Sequence, residues 1–304
     1  MFEWLQDPNL QWVLLGTTIL GITSGMIGCF AVLKRQSLIS DAVAHAALPG
    51  VCLAFIVVRD KELIYLLIGA VIAGYIATYC IQYIVQHSKL KEDTSIGVVL
   101  SVFFGFGVVL LTYISNNLAG NQSGLDEFVF GQAASLSSQD VQIISIVSLV
   151  LVTVLVLFYK EFKLITFDPN FAKALGLSYN KINNLLMLLI VGAIVIGIQT
   201  VGVVLMTAMI IIPPAAARLW TEKLSVMLLL AGTFGGIASL LGTYFSTLAL
   251  RVATGPVIVL CEAAIFFLSL LFAPKRGIVY KNWVFRKLRR SHKNQQTTRK
   301  HKVI

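Results

Sequence analysis

The chain has 304 residues, 57% of them hydrophobic and only 12% charged, with a mean hydropathy of +0.85. A soluble domain carries about 25% charged residues, so this composition excludes a water-soluble fold and predicts a chain solvated largely by lipid. The net charge of +10 is no nucleic-acid signal: residues 274–304 hold eleven of the 24 Lys/Arg and no acid, leaving 13 basic against 14 acidic groups elsewhere, so the excess reads as one cytoplasmic tail meeting anionic headgroups.

The chain opens on "MFEWLQDPNL", which is acidic and lacks a basic leading region, so it is not read as a cleavable signal peptide. A membrane-spanning helix needs about 20 mostly apolar residues. Such segments fall near 12–33, 38–58, 63–86, 94–115, 141–159, 182–202, 203–219, 224–250 and 252–273. The seventh is short, carries Pro213-Pro214 and barely parts from the sixth, so eight spans plus a broken or re-entrant piece also fits. The expected fold is an all-α integral membrane bundle of eight to nine helices over residues 1–273, followed by the basic tail 274–304.

Gly21 and Gly25 in the first span, and Gly232, Gly236, Ser239 and Gly242 in the eighth, recur at helical spacing and predict close helix approach, within the chain or between subunits. Cys29, Cys52, Cys80 and Cys261 sit singly in apolar segments and read as small buried hydrophobes. With the tail inside, the inner loops hold ten Lys/Arg and the outer loops only Arg59, Lys61 and Arg251, which orients the bundle and places the N-terminus outside for nine spans.

Two extramembrane segments carry information. Outer residues 116–140 are rich in Gly, Asn and Ser around an apolar "FVF", read as a short interfacial helix or a docking surface. Inner residues 160–181 contain Asp168 as a helix cap, Pro169 at the first helical position and Gly176 at the stop. This predicts a two-turn helix over 169–175, apolar through Phe171, Ala172 and Leu175. So short a helix is unstable alone in water and calls for a partner.

Ionisable groups at hydrocarbon depth cost about 2.5–3.5 kcal/mol and mark functional positions. The spans contain three: Asp41, His45 and Glu262. Asp41 and His45, four apart in "SLISDAVAHAALPG", share a helix face. They fit a hydrogen-bonded structural pair, a proton relay, or half of a site for divalent manganese, iron or zinc. One helix supplies too few ligands, but two copies meeting on a two-fold axis would supply four. Ala42, Ala44, Ala46 and Ala47 would permit that approach, and Pro49-Gly50 would bend the helix beyond them. Glu262 reads as a structural partner of a neighbouring helix or as part of the path. Pro213-Pro214, with Met206, Thr207 and Met209 just before, read as a kink or a gate. There is no phosphate-binding GxxxxGK[ST], no HExxH and no GxSxG, so the chain is not read as an enzyme.

Taken together, "LKRQSLISDAVAHAALPG", "FDPNFAKALGLS", "IQTVGVVLMTAMIIIPPAAARL" and "GPVIVL" resemble the membrane permeases of bacterial metal-ion ABC importers of the zinc/manganese/iron branch. The resemblance covers almost the whole chain except the long basic tail, and Glu262 departs from it. It implies a type II importer-like permease in the bacterial plasma membrane with a cytoplasmic C-terminus. The implied partners are a second permease copy or paralogue, cytoplasmic ATP-binding subunits that hydrolyse ATP, and an extracytoplasmic metal-binding protein. No cofactor is permanently bound; the metal is cargo. Asp41 and His45 match the family's metal-coordinating pair, and Asp168, Pro169, Phe171, Ala172, Lys173, Ala174, Leu175 and Gly176 match its coupling helix. Manganese is the expected cargo, zinc next and iron third. The competing reading is a proton-coupled secondary metal transporter using Asp41/His45, and a non-transporting membrane scaffold is a further one.

Overall fold

The computed structural model describes residues 8–58, 63–117, 136–248, 253–274 and 277, and these are all-α. The helices are α1 (Pro8–Leu33), α2 (Ser37–Val58), α3 (Leu63–His87), α4 (Glu92–Asn117), α5 (Ser138–Leu157), α6 (Tyr159–Phe167), α7 (Pro169–Ala174), α8 (Tyr179–Val201), α9 (Val203–Trp220), α10 (Leu224–Leu248) and α11 (Thr254–Phe272). Most of the outer 116–140 segment with its "FVF" patch, and the basic tail beyond residue 277, lie outside the described residues.

Among the described residues eight helices are long and apolar enough to cross a membrane, and α9 is a shorter apolar helix. Their outward faces are hydrophobic: Ile68, Ile72, Ile76, Tyr79 and Tyr83 form an exposed stripe along α3. In water that stripe would be a liability, and in hydrocarbon it is the solvated face.

The pairing of α8 with α9 settles how the short segment runs. Gly202, at a φ of 84°, separates the two helices. The position beside Gly197 of α8 is filled by the Met206 side chain of α9, so the two fold back on each other. α9 therefore runs back alongside α8 into the bundle. Pro213 and Pro214 are accommodated without ending the helix.

Close backbone approach organises the centre. α1 and α10 run antiparallel: a Cβ at Gly25 would lie 2.5 Å from the Ala231 carbonyl oxygen, and Gly21 meets the Gly235 backbone. The predicted small-residue contact is thus within the chain and uses Gly235; Gly232 and Gly236 meet the side chains of Met26 and Ile22 instead. Glycine here lets peptide dipoles and Cα–H groups touch, which drives association where lipid removes the hydrophobic incentive. Gly28 similarly admits the Ile210 carbonyl of α9, whose usual i+4 donor Pro214 abolishes.

Two further expectations change. Ala42, Ala44, Ala46 and Ala47 are buried within the chain, where α2 packs on α3, α4, α8 and α9, so these alanines are not free for a second subunit. Their small size serves the intrachain crossing. The fifth span ends earlier than residue 159, and a separate helix, α6, follows it. α6 exists because Phe162 and Ile165 are buried on one side, Phe162 stacking edge-on against Phe30 of α1 at 5.9 Å.

Candidate functional site

α2 begins at Ser37, so Asp41 lies about 6 Å along the helix axis from its start. Four residues later His45 follows on the same face, its Nε2 3.6 Å from Asp41 Oδ1. That separation is too long for a hydrogen bond and leaves both groups available as ligands. The two side chains are 46% and 31% exposed, with Asp41 the more open. The His45 ring stands edge-on to Phe104 of α4 with centroids 5.0 Å apart, which fixes its orientation. No group of three or more His, Cys, Asp or Glu converges among the described residues. Asp41 and His45 therefore share one half-open face of α2.

Below the pair, a polar bracket ties five helices at the Lys-bearing face. Lys34, in the turn between α1 and α2, donates to Asn183 Oδ1 of α8. Asn183 Nδ2 donates to Gln82 Oε1 of α3 at 3.2 Å, and Gln36 Nε2 donates to Glu92 Oε1 of α4 at 2.7 Å. Burial lowers the Lys34 ammonium from its ordinary value near 10.5 to about 8, against the opposing pull of Glu92. Arg35, at a φ of 60°, makes the sharp elbow that aims α2 back into the bundle. Sequence reading missed Phe104 and this bracket, because their partners lie tens of residues away.

α7 forms where the cap signals placed a helix. Asp168 Oδ1 accepts from the Phe171 backbone N–H at 2.9 Å, and Pro169 occupies the first turn. At the other end Leu177 N–H donates to Ala172 O at 3.1 Å and Gly176 N–H to Lys173 O at 3.0 Å, closing a left-handed stop around Gly176 at a φ of 77°. The predicted apolar side divides: Ala172 is fully buried, whereas Phe171 and Leu175 are exposed. Phe167, at the end of α6, is exposed as well. Lys173 lies over the Tyr179 ring at 5.4 Å, and Ala174 is exposed. Beside Phe167 is a cavity of about 480 Å³, lined by Tyr159, Lys163, Phe167, Glu222 and Lys223.

α9 stands between α2 and α11. Met206, Met209, Pro213 and Pro214 are buried along it, and Thr207 is half-buried. Glu262 stands apart from the pair, on α11, which packs on α9 and α10.

The profile of the ABC 3 transport family matches residues 6–273. The chain is 53% identical over 300 residues to the manganese transport system membrane protein MntC of Bacillus subtilis, covering 97% of this chain and 69% of that protein. It is 42% identical over 277 residues to the zinc transport system membrane protein TroC of Treponema pallidum, covering 91% and 93%. Among solved structures it is similar to PsaBC from Streptococcus pneumoniae in complex with Fab, with a TM-score of 0.79, 36% identity, and 90% and 96% of the two chains covered.

Proposed function

The chain belongs to the ABC 3 transport family, and from that premise we propose that it imports divalent manganese as the permease subunit of an ABC transporter, with zinc as the nearest competing cargo. The observation that carries the reading is the Asp41–His45 pair: two oxygen and nitrogen ligands on a half-open face, with no third on the same chain among the described residues. A second permease, an identical copy or a paralogue, supplies the other ligands. Carboxylate and imidazole without thiolate suit manganese, zinc and iron alike, so the proposal of manganese rests on the relatives' names and not on the donor set.

The Lys-bearing face is assigned to the cytoplasm, with the C-terminal tail, in a bacterial plasma membrane. There α7 serves as the coupling helix. Its exposed Phe171, with Leu175 at its C-cap, held by Asp168, Pro169 and Gly176 and seated through Ala172, docks a cytoplasmic ATP-binding subunit. ATP hydrolysis belongs to that partner. An extracytoplasmic metal-binding protein delivers the ion to the opposite face, and α9, with Met206, Thr207, Met209 and Pro213-Pro214, is the gate segment beside α2.

The test is uptake in vesicles containing the permease and its ATP-binding subunit, with manganese and zinc in competition. ATP-dependent manganese uptake that zinc suppresses only in excess supports the reading. Uptake driven by a proton gradient without the ATPase would replace it with secondary transport.

A further inference from the structure

α2, which carries Asp41 and His45, packs chiefly on α3 and α4 and hardly touches α1, although only the turn Lys34–Gln36 separates them in the chain. α1 belongs instead with α9 and α10. The elbow is thus the covalent joint between two groups of helices. Arg35 holds it at a φ of 60°, which few non-glycine residues adopt.

The helices on both sides of α7 grip this elbow. Before α7, α6 places Phe162 edge-on to Phe30 at 5.9 Å, both rings fully buried. Phe30 lies one turn before the elbow, and its carbonyl accepts the Lys34 backbone N–H at 3.0 Å. After α7, α8 opens on Tyr179, whose ring Lys173 of α7 covers at 5.4 Å. One turn further along the same face stands buried Asn183. Its Oδ1 accepts from the Lys34 ammonium, and its Nδ2 donates to Gln82 Oε1 of α3 at 3.2 Å. A single amide therefore holds the elbow and the α2–α3–α4 group together. Gln36 Nε2, donating to Glu92 Oε1 at 2.7 Å, fastens the start of α2 to α4. α7 itself rests on α6 and α8, with Ala172 fully buried.

Packed rings and hydrogen-bonded side chains pass on a displacement because close packing gives them discrete arrangements rather than a compliant one. His45 lies about 12 Å along α2 from Ser37, so a tilt of about 10° at the elbow shifts it by about 2 Å. That shift equals a whole metal–nitrogen bond of about 2 Å and is enough to break it.

We propose that the Lys34–Gln36 elbow is the relay between α7 and the metal pair: Asn183 and Phe162 are positioning residues that turn a displacement of α7 into movement of α2, and with it of Asp41 and His45. This rests on α7 as the ATPase-docking helix and on Asp41 and His45 as metal ligands, and it supplies the route between them.

The experiment measures manganese uptake and ATP hydrolysis together, in vesicles holding the permease with its ATP-binding subunit. Lys34→Met combined with Asn183→Leu removes both polar partners and leaves no buried charge unpaired, so the fold is kept. The expected result is transport per ATP lower by about fivefold or more, with manganese affinity, subunit association and melting temperature not reduced. Asn183→Asp, which keeps an acceptor for Lys34, keeps the wild-type ratio. Phe162→Leu, which stays apolar but loses the ring contact with Phe30, lowers the ratio in the same direction. Wild-type transport per ATP in these two weakened variants overturns the relay, and an unchanged ratio in Phe162→Leu alone does so where the double variant fails to assemble. Failure of the transport reading is told apart from this, because it appears as absent ATP-dependent uptake in the wild-type complex.

Discussion

Replacing Asp41 by alanine is the cleanest test of the metal pair, because the structure separates ligand loss from damage to the fold. The Asp41 side chain is 46% exposed and has no hydrogen bond, its nearest charged neighbour being His45 at 3.6 Å. Alanine is the better helix former by up to about 0.7 kcal/mol, so α2 is not weakened. His45→Ala removes in addition the edge-on contact with Phe104, a loss of about 0.5–1.5 kcal/mol. In a symmetric pair of permeases, Asp41→Ala leaves two ligands of four. Four-ligand structural zinc sites bind with roughly 10–16 kcal/mol, or about 3 kcal/mol per ligand, an upper figure for a cargo site that must release its ion. The expected loss of metal affinity therefore lies between about 10²- and 10⁴-fold. Manganese binding to the purified assembly measures it, with radiometal accumulation in cells as the companion assay. Wild-type affinity in an Asp41→Ala assembly of wild-type abundance and melting temperature would refute the assignment.

Asp168→Ala removes the cap of the six-residue α7 at a cost of about 1 kcal/mol; the ratio of transport to ATP hydrolysis in the reconstituted complex falls severalfold, and Asp168→Asn restores it. Proline at Ala172 abolishes coupling outright, and full transport by that variant would remove α7 from the coupling role. Gly235→Ala drives a methyl group into the Gly21 backbone and lowers stability by about 1–3 kcal/mol, read as a drop in melting temperature, while Gly97→Ala, which meets open space, leaves it unchanged or higher. Lys34 binds its proton less tightly folded than unfolded, so the unfolded chain holds more protons between about 8 and 10.5 and stability rises with pH across that window. Thermal melts of Lys34→Met against wild type check this: the variant lacks the alkaline rise and is the more stable of the two near neutral pH.

The sequence alone determined the class of the fold, because hydrocarbon admits few backbone solutions and a run of about 20 apolar residues is nearly diagnostic. It also located α7, whose Asp-Pro start and Gly stop are local chemistry, and it put Asp41 and His45 on one face through helical spacing alone. What it could not decide were quantities set by which helices meet. Whether 203–219 crosses depends on how Met206 packs at Gly197. Whether Ala42–Ala47 serve a partner or their own bundle depends on burial, and they serve the bundle. The elbow before α2 joins Lys34 to Asn183 and Gln82, and Gln36 to Glu92, spanning up to 149 residues of chain, and no local pattern announces such contacts. Glu262 shows the division most plainly: the sequence marked it as a charge out of place, and only the packing of α9, α10 and α11 showed it buried with no hydrogen-bond partner among the described residues. Membrane solvation acts on each segment separately and is written along the chain, whereas the registers between helices are fixed by side chains brought together only in the folded bundle.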